Sequence, residues 1–345
     1  MNDEQVRGEY LLGISRKIDR YLRDLSPGIL GVQSVESVEI LKMTPGAYNL
    51  NYHVRINGKK VIFRVNVDQQ SGLPHQIEYE FKALRFLEGH RIAPKAYHLD
   101  NFRERFDFGI LIEECLEGPY LGLESDEMPE VADLLARLHS LPVGDLPLIV
   151  WGDPLGDTYE QARRDLVEYE AKETPEEEII RLAGELLTRS EPLIEKYRHL
   201  YRPDGVNHTD VVRDNIVKTS EGMRLIDWEK PRLDDCTYDL ACFLCEPAQL
   251  WCTHLSYRVT SQEDRESFLE AYARQSGRDP DLLSERVRIR EPLLALHWIL
   301  WGATKLCDLR DRRTSPELVQ AHEEKRMRYA RIGNPENIQK LLGSF

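Results

Sequence analysis

Apolar residues keep two different periods along this chain, and the change between them falls near residue 115. Before it, segments 50–56 and 61–67 alternate apolar and polar residues, the two-residue repeat of a half-buried strand. They flank Asn57-Gly58, a dipeptide suited to a hairpin turn with two positive φ angles. Strand character spans 36–67, and two further short runs, 96–100 and 108–114, read the same way. A helix over 75–89, with Ile77, Phe81, Leu84 and Leu87 on one face, separates them, and another precedes the sheet at 4–25. The break comes at 115–122, which holds two glycines and a proline. Beyond it apolar residues recur every three or four positions. Helices are expected at 128–140, 158–170, 175–200, 238–248, 262–276, 280–306, 315–331 and 335–342.

This pattern predicts an α+β chain in two parts: a sheet-bearing part over 1–115, with the helix at 4–25, and a mainly helical part over 116–345. Hydrophobic residues make up 41% and charged residues 31%, which fits a packed core under a solvated surface and excludes a disordered chain. The net charge is −14, and the most basic stretch, 322–331, is mixed in sign. A nucleic-acid partner, which needs a basic stripe against phosphate, is therefore not expected, while a cationic small molecule suits the balance. No apolar stretch follows a basic start and no window approaches 18 apolar residues, so neither a leader nor a membrane span is expected, and a cytoplasmic location is. The six cysteines, Cys115, Cys236, Cys242, Cys245, Cys252 and Cys307, then read as reduced thiols. Cys242 and Cys245 have the C-x2-C spacing, but a zinc site commonly takes two such pairs. This single pair lies in an apolar helical stretch, so buried thiols are favoured over zinc.

One stretch breaks the helical half. Residues 206–229 read as loop, short strand, turn and short strand, with Ile216-Val217 and Leu225-Ile226 as the apolar pairs and Ser220-Glu221-Gly222 as the turn. Within it His208-Thr209-Asp210-Val211-Val212-Arg213-Asp214-Asn215 has the spacing H-x-D-x4-N, and Asp227 follows Asn215 by twelve residues. Phosphoryl transfer gives a reason for that grouping: one Asp accepts or orients the acceptor's hydroxyl proton, while an Asn and a second Asp hold Mg2+ against nucleotide phosphates. Magnesium takes hard oxygen ligands and keeps part of its water shell, so one or two carboxylates and an amide suffice. Taken singly, Asp214 and Asn215 also fit a plain turn and Asp227 a helix cap. The ordered pair of motifs at hairpin spacing is far more specific.

The two motifs resemble those of the aminoglycoside phosphotransferase and choline kinase family, small-molecule kinases related in fold to protein kinases. That family's catalytic stretch reads H-G-D-x4-N and its metal stretch I-D-[FW]-[DE], followed by D-x3-D-L-A. This chain has LIDWEKPRLDDCTYDLA at 225–241, with Asp235 and Asp239 at the ending. The resemblance covers residues 35–305, with its strong motifs in 206–241. It implies a protein-kinase-like two-lobe α+β fold and an ATP-dependent, Mg2+-assisted transfer to a hydroxyl of a small molecule. The acceptor would be an aminoglycoside or other antibiotic, an amino alcohol such as choline, or a sugar. By the same resemblance Asp210 is the catalytic carboxylate, Asn215 and Asp227 are metal ligands with Glu229 a further candidate, and Asp239 braces the catalytic loop. His208 is expected to brace that loop rather than take a proton. Thr209 stands where the family often has Gly, and Val212-Arg213-Asp214 where it has His-Pro-Gly or similar. Arg213 is counted with the catalytic group, facing substrate or phosphates, and these departures bear on the acceptor more than on the reaction.

A kinase also needs a turn over the phosphates, a cation on a strand and a Glu on the next helix to hold that cation. The turn candidate is 44–49, which resembles the family's G-x-x-N loop through Gly46 and Asn49, although an ordinary hairpin turn fits as well. The cation is Arg64, an arginine position also found in choline-kinase-like members. The helix Glu is Glu80 in EFKALRFL, similar to the family's E-x3-L-x2-L; Glu78 is the alternative on another face. Segment 110–118 resembles the hinge, with backbone groups of Glu113 and Cys115 meeting adenine. For the acceptor, Glu229, Asp234, Asp235 and Glu246 would make a carboxylate-lined cleft suited to an amino sugar. Trp251, Tyr257, Tyr272, Trp298 and Trp301 would suit a quaternary amine through cation–π contact. Trp298 and Trp301, three apart on an apolar helix, also read as core. A protein or RNA kinase of related fold is disfavoured, because only twelve residues separate Asp227 from Asp239-Leu240-Ala241. A non-catalytic scaffold is disfavoured because Asp210, Asn215 and Asp227 are all present.

Overall fold

The computed structural model describes residues 3–46, 48–68, 73, 75–122, 127–144, 148–252, 260–310 and 319–343. The chain forms two compact units, Met1–Gly118 with Thr219–Lys230, and Pro119–Lys218 with Pro231–Phe345. Segment Thr219–Lys230, placed by sequence in the helical part, thus belongs with the strands.

The first unit begins with helix α1 (Asp3–Asp24) and continues through strands β1 (Val38–Pro45), β2 (Asn49–Ile56) and β3 (Lys59–Asn66), helix α2 (Gln76–Leu87), and strands β4 (Ala96–Asp100) and β5 (Gly109–Glu114). The five strands form one antiparallel sheet in the order β1-β2-β3-β5-β4. Asn57 and Gly58 both have positive φ, 49° and 89°, as the tight turn between β2 and β3 requires. The Asn57 carboxamide also pins the preceding loop, accepting from the Glu36 and Ser37 N–H groups at 2.9 Å each. Strand alternation sends Val54, Val61, Phe63 and Ile112 to one face, where they pack with Ile18 and Leu22 of α1. Arg64, between Phe63 and Val65, faces the other way.

The second unit is mainly helical. In chain order it has α3 (Met128–His139), β6 (Ile149–Val150), α4 (Pro154–Glu170), α5 (Glu177–Tyr197), β7 (Gly205–Asn207) and β8 (Ile216–Thr219), the last of which runs into the first unit. After β9 (Gly222–Leu225), which lies in the first unit, come β10 (Arg232–Asp234), α6 (Thr237–Leu244), α7 (Glu246–Gln249), α8 (Gln262–Ser276), α9 (Pro280–Arg310), α10 (Val319–Ile332) and α11 (Pro335–Gly343). Its core joins Leu166 and Tyr169 of α4, Leu186 of α5, and Leu296 and Leu300 of α9. The capping box at Ser261 and Asp264 starts α8, and Gly277, with φ +70°, ends it. Several expected helix boundaries differ: α5 is shorter than 175–200 and α9 runs past 306 to Arg310. Helix α4 starts at Pro154 rather than 158, since proline is well placed in a first turn. The single helix expected over 238–248 is two, α6 and α7, because the backbone is extended at Cys245, two residues before Pro247. The strands β6, β7 and β10, too short to show a period, form a three-stranded sheet in the order β6-β10-β7. No helix among the described residues is long and apolar enough to cross a membrane. All six cysteines are free thiols, and Cys236, Cys242, Cys245 and Cys307 are buried.

Candidate active site

In the first unit the sheet register assembles a charge cluster around Arg64. Arg64 on β3 lies opposite Asn51 of β2 and Leu111 of β5. Its Nε donates to Asn51 Oδ1 at 3.0 Å. Its Nη1 donates both to Glu80 Oε1 on α2 and to Asp227 Oδ1, the latter at 3.0 Å, and its Nη2 lies 3.4 Å from Glu113 Oε1. Glu80 is on the inner face of α2, whereas Glu78, on another face, accepts from Asn101 Nδ2 at 2.7 Å. Side-chain exposure separates Asp227 from its neighbours. It is 34% accessible, while Glu80 and Glu113 are 1% and 5%. Asp227 also has φ +69°, the left-handed region that non-glycine residues rarely hold. The buried ring of Trp228 anchors it from the next position, with Nε1 donating to Leu225 O at 2.8 Å.

Glu229 closes the same cluster. Its Oε2 accepts from Asn49 Nδ2 and from Gln76 Nε2, each at 3.0 Å. Asn49, opposite Asn66 in the β2–β3 register, also accepts from Asn66 Nδ2 at 2.9 Å. At the turn itself Gly46 N–H donates to Asn49 O at 2.7 Å; Ala47 lies outside the described residues. Four carboxylates therefore surround one guanidinium. Burial raises Glu80 to about 8, against the pull of Arg64, and raises Glu113 and Glu229 above the ordinary carboxylate range. Burial also works against the charge on Arg64, but Glu80, Glu113, Asp227 and Glu229 outweigh it and hold the guanidinium protonated. Burial thus favours the protonated form of three of the four carboxylates, and Asp227 is the one that faces solvent. No group of three or more His, Cys, Asp or Glu side chains able to hold a metal stands among the described residues.

Two expectations are corrected here. Glu113, expected as a hinge residue that meets adenine through its backbone, lies inside β5. It is paired with Ile62 on one side and Ala96 on the other, so its backbone serves the sheet and its side chain serves Arg64. The next N–H, that of Glu114, donates to Lys95 O at 2.8 Å, so Cys115 is the first residue past the ladder. Asn49 is buried, with its carboxamide committed to Glu229 and Asn66 rather than to solvent.

In the second unit the catalytic-loop candidates hang on Asp239 of α6. His208 N–H donates to Asp239 Oδ2 and Thr209 N–H to Oδ1, both at 2.7 Å. Burial opposes ionisation of Asp239, but bonds from His139 and the loop hold its carboxyl below the usual range. His208 Nδ1 accepts from Asp210 N–H at 3.3 Å, a bracing contact along the loop. Asn215 Nδ2 donates to Asp210 O at 3.0 Å, so a ligand would meet the amide oxygen. Arg213, expected to face substrate or phosphates, is instead buried. Its guanidinium donates to Gly122 O and sits 5.4 Å above the Phe243 ring, while its N–H donates to Gln249 Oε1 at 3.3 Å.

The acceptor candidates divide sharply. Asp234 and Asp235 are fully buried ion-pair partners and line no cleft: Asp234 takes Arg290 Nη2 at 2.7 and 2.9 Å and Arg232 Nε at 3.0 Å, and Asp235 takes Arg286 and the Arg202 N–H. Glu246 lies 3.6 Å from Lys340. The aromatic candidates Trp251, Trp298 and Trp301 do come together, joined by Tyr329. Trp251 stacks on Tyr329 at 5.5 Å, and Trp301 meets Trp251, Trp298 and Tyr329 edge-on at 5.2, 5.5 and 5.4 Å. Tyr272 is elsewhere, on His139, and Tyr257 lies outside the described residues.

The family model of the phosphotransferase enzyme family (APH) matches residues 39–286, well over half of the chain. The chain belongs to that family. No curated protein sequence matches it. Among solved structures, choline kinase from Cryptosporidium parvum Iowa II aligns over 98% of this chain and 99% of its own, at 18% identity and a TM-score of 0.61. An ethanolamine kinase from Plasmodium vivax aligns over 93% and 88%, at 19% identity and 0.62. A spectinomycin phosphotransferase, in complex with ADP and spectinomycin, aligns over 89% and 92%, at 13% identity and 0.56. At such identities the likeness is one of fold, and this phosphotransferase has the α+β, protein-kinase-like two-lobe fold. Its sequence reading leaves out His139, Gln76 and Asn51. His139 and Gln76 lie far along the chain from the residues they hold, with no local motif to mark them, whereas the register of the Asn57-Gly58 hairpin sets Asn51 opposite Arg64.

Proposed function

We propose that the protein transfers the γ-phosphate of ATP to a hydroxyl of a small molecule that carries an amine or ammonium group. The observation that carries the transfer is the Arg64 cluster, where one guanidinium nitrogen holds both Glu80 and the solvent-reaching Asp227. Arg64 supplies positive charge toward phosphate, with Glu80 and Glu113 fixing its plane. Asp227 and the Asn215 amide oxygen are the proposed holders of Mg2+, which when bound neutralises the phosphate oxygens. Asp210 orients the acceptor hydroxyl and takes its proton late, since this chemistry rests mainly on positioning and charge stabilisation. Cys115, the first residue beyond the β5 ladder, is the backbone partner we assign to adenine. We place the protein in the cytoplasm, where ATP and Mg2+ are available.

The acceptor reading rests on contrast. Asp234 and Asp235 already neutralise arginines, which argues against a carboxylate-lined cleft for a polyamine drug. Of the ring cluster, Trp298 and Tyr329 are buried and Arg328 already sits 5.8 Å over Trp251, which leaves half-buried Trp301 as the ring we assign to an acceptor cation. The test is a panel of choline, ethanolamine, aminoglycosides, nucleoside antibiotics and sugars incubated with Mg-ATP and read by acceptor mass. One amine-bearing alcohol should gain a phosphoryl group. Asp210→Ala should abolish that gain and leave ATP affinity within about threefold. Wild-type turnover by the variant would remove Asp210 from its role, and failure of the protein to bind Mg-ATP would sink the whole reading.

A further inference from the structure

Much of helix α9 is buried, but His297, Trp301, Lys305 and Asp308 are half-buried, and their spacing of four, four and three puts them on one face. Toward the C-terminal end this stripe is neutralised within the protein: Asp308 lies 2.8 Å from Lys172 and 4.0 Å from Lys305. At its other end the chemistry differs. His297 Nδ1 lies 2.6 Å from Asp165 Oδ2 of α4, and Asp165 Oδ1 accepts from Gln161 Nε2 at 2.7 Å. Both carboxylate oxygens are therefore in use. His297 Nε2 has no protein partner among the described residues, and the side chain is 23% accessible.

An ionised Asp165 only accepts, so the ring proton sits on Nδ1, and in the neutral ring Nε2 is left with a lone pair. One turn along the same face stands Trp301, the ring assigned above to the acceptor's cation. A quaternary ammonium is satisfied by a ring face and has no N–H to give. A primary ammonium has three N–H groups, so it can meet the ring and still donate to Nε2. We propose that His297, oriented by Asp165, is a specificity-determining residue that accepts an N–H from the acceptor's cation beside Trp301, and that the acceptor carries a primary amine rather than a quaternary ammonium. This rests on the acceptor reading above and not on the transfer chemistry.

Ethanolamine and choline are matched probes, since they share the alcohol and differ only in N-methylation. Their dissociation constants are read on the full chain by tryptophan fluorescence with Mg-ADP present. Mg-ADP is titrated first; its failure to bind would sink the transfer reading and leave the amine ratio measurable. The wild type should bind ethanolamine about tenfold or more tighter than choline, as expected for a hydrogen bond from a charged donor. In His297→Leu that ratio should fall to within about twofold. Asp165→Asn changes little in shape. Its amide oxygen would take Gln161 and its NH2 would face His297 Nδ1, which moves the ring proton to Nε2 and removes the acceptor. The ratio should fall to within about twofold there too. His297→Gln, which offers an amide oxygen instead, should keep it at about threefold or more. A wild type that binds choline as tightly as ethanolamine, or binds neither, overturns the proposal. So does a wild-type ratio retained in both His297→Leu and Asp165→Asn. If His297→Leu does not fold, Asp165→Asn alone decides it.

Discussion

The buried carboxylates around Arg64 should make the protein less stable as pH rises from 6.5 to 8. Glu80 is raised from 4.5 to about 8 by burial, so the folded state binds a proton that the unfolded chain releases. Its stabilising contribution is complete below about pH 4.5 and fades as pH rises through about 8. At 1.36 kcal/mol per pH unit, a single group of this kind loses about 1.5 kcal/mol between pH 6.5 and 8. That is a large part of a typical margin of about 5–15 kcal/mol. Burial raises Glu113 and Glu229 in the same direction, so the slope should be at least this steep. His53, lowered from 6.5 to about 4, works the other way at the lower edge and returns about 0.4 kcal/mol across the window; His98, also lowered, acts in the same sense, and the buried cysteines have unfolded values above it. The assay is urea unfolding by circular dichroism at pH 6.5 and 8, with and without Mg-ATP, in the wild type and in Glu80→Gln. The variant should lose about 1.5 kcal/mol of the slope, and Mg-ATP should restore stability more at pH 8 than at 6.5. A wild-type profile that is flat or rises with pH, or an identical slope in Glu80→Gln, would refute the argument.

Other substitutions follow from single contacts. Glu229→Ala removes the acceptor of two buried amides, Asn49 and Gln76, and should cost about 2–4 kcal/mol in unfolding free energy. Glu229→Gln keeps an oxygen for them and should leave the Mg2+ concentration dependence of turnover unchanged; a tenfold or larger shift would restore Glu229 as a metal ligand. Trp298→Ala should cost about 3–5 kcal/mol as a core deletion. Half-buried Trp301, changed to Leu, should instead raise the KM for an amine-bearing acceptor about fivefold, by loss of a cation–π face. Thr209→Gly should raise stability by about 1 kcal/mol in thermal unfolding, because it removes backbone strain.

Local chemistry was legible in the sequence and distant pairing was not. Asn57-Gly58 announced its hairpin because positive φ at two adjacent positions has few solutions. The motif spacing singles out Asp210, Asn215 and Asp227 as candidates, and the resemblance of EFKALRFL to the family's helix singles out Glu80, which the structure buries on the inner face of α2. Glu113 misled because a carboxylate near the end of a strand looks the same whether its backbone or its side chain is in use. Asp234 and Asp235 looked like a cation-attracting pair; their partners Arg286 and Arg290 lie some fifty residues later, on α9. Arg213 looked exposed for the same reason, since Gly122 and Phe243 lie far from it in sequence. Ion pairs and braces between remote residues leave no periodic trace, and so they were the part that sequence could not supply.

The membership of Thr219–Lys230 in the first unit sets an order of birth. On the ribosome, one hundred residues, 119–218, must be made between the sheet and the segment that completes its unit. At about 5–20 residues per second that is a wait of about 5–20 s. During it Ile92 lacks the backbone donor that Leu225 brings, and Arg64 faces Glu80 and Glu113 without Asp227. A nascent chain stopped after Gly118 would therefore hold all five strands of the sheet but lack the contacts of Thr219–Lys230. The shortest polypeptide that carries all the first unit's contacts is a splice, Met1–Gly118 joined directly to Thr219–Lys230.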